Sequence, residues 1–156
     1  METTRTDTLF NIRYAARVLE RHCRLWRRID GAVRFSAILA GSGAIAALGA
    51  QNTGLAIAAG VVFAVFQAIE YAVRPAEVAA RSMAQGKQYA ALLAHQRGLS
   101  DEALVDSLEA VRVEDEIIVM DALRQLAYND VVRERGLDES ACFAETGALR
   151  AIALLA

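Results

Sequence analysis

Hydrophobic and polar positions follow three regimes along the chain. Over residues 8–29, Ile12, Ala16, Leu19, His22, Trp26 and Ile29 return at steps of three and four, while Arg13, Arg17, Arg21, Arg24 and Arg28 favour other faces. That period predicts an amphipathic, basic helix. Residues 35–69 then carry no charge at all. The polar sequence Gln51-Asn52-Thr53-Gly54 breaks this apolar stretch, with glycine supplying a permissive backbone. Two back-to-back apolar helices follow, 35–50 and 55–73. Pro75 suits the first turn of a new helix or kinks a continuing one, and helix formers run over 76–97 until Gly98 ends them.

Ser100, followed by Asp101 and Glu102, has the form of a helix N-terminus with acids in its first turn. No glycine or proline interrupts the chain from there to Gly136, which sits where a C-terminal cap belongs, after Arg133 and Arg135. Leu104, Leu108 and Val111 make one apolar face; Ile117, Met120, Leu123, Leu126 and Ala127 make another. Glu114-Asp115-Glu116 lies between them, so this stretch is one long helix or two. Residues 149–156 form a short apolar segment able to dock as a last helical turn.

At 1.5 Å per residue the first apolar helix spans about 24 Å over its uncharged part, short of a hydrocarbon core of about 30 Å. It borrows length from residues 31–33, with Arg34 snorkelling towards the head groups. The second helix runs to Val73, and Glu70 and Arg74 are spaced to pair on one face near the interface. The competing reading is a soluble bundle whose core is this hairpin.

Composition narrows the fold class. The 156 residues are 55% hydrophobic but only 6% aromatic, which excludes a disordered tail. One proline and ten glycines are too few for a sandwich or barrel with frequent turns. The expected fold is all-α: an N-terminal basic amphipathic helix (1–30), a transmembrane helical hairpin (31–74) and a cytoplasmic helical tail (75–156).

The formal net charge of −2 hides a strong asymmetry. Residues 1–34 are net +4, residues 71–99 net +3 and residues 100–156 net −8. Both basic segments flank the hairpin on one side and the turn carries neither lysine nor arginine, so the positive-inside rule places both termini in the cytoplasm of a multi-pass inner-membrane protein. Arg24, Trp26, Arg27, Arg28, Arg34 and Arg74 are the interface anchors, because an indole straddles the boundary and guanidinium groups meet phosphates. The same arginines do not require nucleic acid as a partner. Charged and polar residues precede the first apolar run, unlike a cleaved signal peptide.

Small residues recur at four-residue steps: Ala56, Gly60, Ala64 and Ala68 in the second helix, and Ser36, Ala40 and Ala44, Ala37 and Gly41, and Gly43 and Ala47 in the first. Lipid tails give helices little hydrophobic drive to associate, so such faces act by letting backbones approach closely. They point to packing within the hairpin and, in addition, between copies of the chain. Gln67 is the strongly polar uncharged side chain deep in the second helix. Gln67 and Glu70 line a pore or make polar contacts with a neighbouring helix.

Catalytic chemistry is scarce. His22-Cys23 lacks the spaced partners of a tetrahedral zinc site. The G-x-G-x-x-A pattern at 41–46 lacks the strand and the later acid of a dinucleotide fingerprint. Glu114-Asp115-Glu116 points in three directions on a helix and reads as a solvated face. Cys23 and Cys142 are expected to stay reduced. We therefore expect no enzyme, no cofactor and no metal.

The order of these elements resembles the SLATT family of bacterial two-transmembrane proteins. The resemblance rests on RVLERHCRLWRR (17–28), the hairpin 35–73, KQYAALL (87–93) and LAYND (126–130), and covers about residues 10–136. It implies a membrane effector of antiphage defence that oligomerises and forms a pore or disrupts the inner membrane when triggered. The trigger would be a sensor protein or a nucleotide second messenger. Gly41, Gly43, Gly60 and Ala64 would assemble the hairpins, and the acidic tail, 100–135, would hold or release a closed state. The alternative is a non-conducting anchor, scaffold or prophage membrane protein whose tail recruits a partner.

Overall fold

The computed structural model describes residues 5–115, 117–144 and 146–156, with the side chain of Ala44 outside that set. It is all-α, with no strand among the described residues. The helices are α1 (Arg5–Gly49), α2 (Thr53–Val73), α3 (Pro75–His95), α4 (Asp101–Val113), α5 (Asp121–Glu134) and α6 (Gly147–Leu155). Short 3₁₀ turns at Gln96–Gly98 and Glu139–Ala141 complete the order.

The local signals explain the ends of these helices. Asn52 caps α2 by accepting from the Leu55 N–H at 3.1 Å, and Gln51 takes a left-handed φ of 57° to close the turn. Arg74 leaves α2 with φ 50°, and Pro75 opens α3 where its missing N–H costs nothing. Ser100 caps α4 through the Ala103 N–H. Gly136, at φ 62°, follows α5, and the Leu137 N–H reaches back to the Val132 carbonyl.

Two findings refine the sequence reading. The basic helix and the first apolar helix are one unbroken helix, α1, because only Gly31 stands between them and a single interior glycine costs about 1 kcal/mol. The region 100–135 is two helices: α4 stops at Val113, and a non-helical connector carrying Glu114 and Asp115 leads to α5. Glu116 of that acidic run lies outside the described residues.

The chain divides into two compact units. One combines the residues up to Leu25 with Ala79–Ala156. Its core packs Ile12 and Leu19 of α1, Tyr89 and Leu92 of α3, and Leu104 and Leu108 of α4. Leu123, Leu126, Val131 and Val132 of α5 are buried as well. Arg21 clamps α5 to α1 with a two-pronged ion pair to Asp130, at 2.7 and 2.9 Å, and Arg17 reaches Glu134 at 2.9 Å. Tyr128 holds Phe10, Tyr14 and Phe143 in edge-to-face contacts. The other unit is Trp26–Val78, the apolar hairpin.

Candidate membrane-spanning hairpin

Within the hairpin unit, Val33, Ala37 and Ala47 of α1 are buried, as is Ala56 of α2. Ala40 and Gly41 are half-buried on α1, as are Ala59, Gly60 and Phe66 on α2. At Gly41 the facing helix comes close: a Cβ there would stand 3.5 Å from the Phe63 ring. A small residue at Gly41 thus leaves room for the Phe63 ring of the facing helix. Ala44, in the same four-residue series as Ala40, has its side chain outside the described residues.

The four-residue series in α2 does not stay on this seam. Ala56 is buried, but a Cβ on Gly60 would meet nothing within 4 Å, and Ala64 and Ala68 are exposed. Each four-residue step turns about 40° beyond a full helical turn, so the series drifts off a straight contact line. Gly43 likewise faces outward, with nothing within 4 Å of where its Cβ would be. Gln67 is exposed beside Ala64 and Ala68.

The polar ends of the hairpin pair differently from the sequence expectation. Glu70 lies 3.8 Å from Arg34 of the facing helix, and Arg34 also meets Asp30 at 3.2 Å. Arg74 turns to Glu77 at 3.4 Å. The pairing of Glu70 with Arg74 expected from their spacing is replaced by a backbone bond, the Arg74 N–H donating to the Glu70 carbonyl. The cause is the left-handed backbone at Arg74, which swings its side chain out of helical register. Arg24 is exposed and paired with Glu20, Arg27 and Arg28 are exposed, and Trp26 is half-buried.

The outer surface of the hairpin is apolar. Phe35, Ile38, Ile45 and Leu48 of α1 and Leu55, Ile57, Val61 and Val65 of α2 are exposed. Both apolar helices are long enough to cross a membrane, and only 6% of the most apolar stretch of the second is buried. Among the described residues no group of three or more histidine, cysteine or acidic side chains is placed to hold a metal ion.

The sequence reading did not single out the polar joints of the other unit. His22 Nδ1 and Ser82 Oγ are 2.8 Å apart and buried, joining α1 to α3. Burial holds the His22 imidazole below its ordinary pKa. Asn129 is buried and pins the segment after α5, its side-chain amide donating to the Phe143 carbonyl and its oxygen accepting the Phe143 N–H. Single polar residues inside an apolar period are the sequence signal for such joints, but their partners lie far away along the chain.

No family model matches this chain, and neither a curated protein nor a solved structure matches it.

Proposed function

We propose that this chain is a multi-pass protein of a bacterial inner membrane, with both termini in the cytoplasm, that acts as an effector of antiphage defence. The observation that carries the membrane assignment is the exposed apolar surface of the hairpin, with Ile38 70%, Ile45 73% and Ile57 63% exposed. Soluble monomers rarely leave so contiguous an apolar patch in water, whereas lipid solvates it at no cost. The uncharged turn between two basic flanks supports the orientation. The resemblance to the SLATT family supports the effector role, in which copies of the hairpin assemble and permeabilise the membrane on a signal from a sensor protein or nucleotide. Gly43, Ala64, Gln67 and Ala68 are exposed and accessible to a neighbouring copy.

The test is induced expression in bacteria, alone and together with the genes that flank it, while a potential-sensitive dye is read. Loss of membrane potential within one of these arms is expected. A steady potential in both, with the protein in the membrane fraction, would leave the non-conducting anchor that recruits a partner through its helical tail.

A further inference from the structure

The helical unit that holds the termini contains an open cavity of about 390 Å³, near the small end of the range for small-molecule sites. It opens between α1, α3 and the connector that follows α4. Its apolar wall is Val18, Leu19 and Val119. Tyr14 of α1, Tyr89 of α3, and the charged residues Arg112, Asp115 and Arg124 line it as well.

The polar groups of this cavity are only partly committed. Asp115 is engaged: it accepts the Tyr89 hydroxyl at 3.2 Å and the Ile117 N–H at 3.2 Å, so it braces the connector against α3. The arginines are tethered on one side, Arg112 to Glu109 at 2.9 Å and Arg124 to Asp121 at 3.5 Å, within their own helices. Both of those carboxylates are solvent-exposed, and exposed pairs of this kind hold weakly. Each guanidinium retains further donors in its planar fork. Burial pushes the Tyr89 hydroxyl up to about 12, with Asp115 adding to the shift, and burial also raises Tyr14, so both rings stay neutral hydrogen-bonding walls.

We propose that this cavity binds a small ligand with a flat ring carrying one anionic group, a carboxylate or a phosphate. The ring lies against Tyr14, Val18 and Val119, and the anion meets Arg112 and Arg124. The pairing follows from complementarity: planar apolar surface suits the rings, and two forked donors suit an oxyanion. Binding here is independent of whether the hairpin conducts.

The experiment uses the full chain in detergent micelles, with ligand-observed NMR and calorimetry, and four probes: adenosine monophosphate, benzoate, adenosine and inorganic phosphate. Saturable binding of adenosine monophosphate or benzoate, tighter than that of adenosine and phosphate, is expected, and which of the two binds assigns the anion. Arg112→Gln and Arg124→Gln are each expected to weaken it roughly tenfold or more, the loss of a charge-assisted hydrogen bond. Ala15→Phe, which places a ring in the cavity, is expected to abolish it. The arginines are exposed, so their variants fold even where Ala15→Phe does not. No binding of either ring-bearing anion, equal binding of inorganic phosphate alone, or affinity unchanged in both arginine variants overturns the proposal.

Discussion

Asn129 shows how much one buried side chain can decide. It satisfies both the N–H and the carbonyl of Phe143, a job that no apolar residue can do. Asn129→Ala is expected to lower the unfolding free energy by about 1–3 kcal/mol, the usual cost of leaving paired polar groups without partners, as measured by chemical denaturation in detergent. His22 makes a different demand. Its folded pKa lies below the ordinary value of 6.5, so the unfolded chain binds the proton more readily. Stability is therefore complete above about 6.5 and falls as the pH drops towards the depressed folded value. Thermal midpoints read between pH 7.5 and pH 5 are expected to decline, and His22→Gln is expected to flatten that decline. A wild-type decline that persists unchanged in the variant would place the effect elsewhere.

At the scale of the element, the hairpin separates two kinds of glycine. Gly41 faces Phe63 across the seam, and Gly43 faces outward. Gly41→Leu is expected to wedge α1 from α2 and lower the thermal midpoint, while Gly41→Ala is tolerated because its Cβ meets the ring at ordinary contact distance. Gly43→Leu and Ala64→Leu leave the seam alone. Where copies assemble through the outward face, they are expected to shift the oligomer size seen by crosslinking without moving the thermal midpoint. An oligomer unchanged by both variants would remove that face from assembly.

For the whole molecule the decisive property is orientation. In a chain stripped of Cys23 and Cys142 by alanine substitution, Asn52→Cys in the turn is expected to react with a membrane-impermeant thiol reagent in intact spheroplasts. Glu102→Cys at the start of α4 is expected to react only after lysis. The reverse pattern would invert the topology, and reaction at both sites in intact spheroplasts would contradict a span.

Much of this architecture is legible in the sequence because its causes are local. Charge-free length, the Gln51-to-Gly54 turn, the Ser100 cap, Pro75 and Gly136 act on residues within a helical turn or two, so a linear reading finds them. The same locality explains why the sequence alone determined the all-α class and the two apolar helices. What only the tertiary structure decided depends on distant partners: the turning of Ala64 and Ala68 away from the seam, the exchange of Glu70 from Arg74 to Arg34, and the meeting of Tyr14, Tyr89, Arg112 and Arg124 around one cavity. Helical drift and side-chain reach accumulate over many residues, and a periodic pattern does not carry the register at which two separate helices meet.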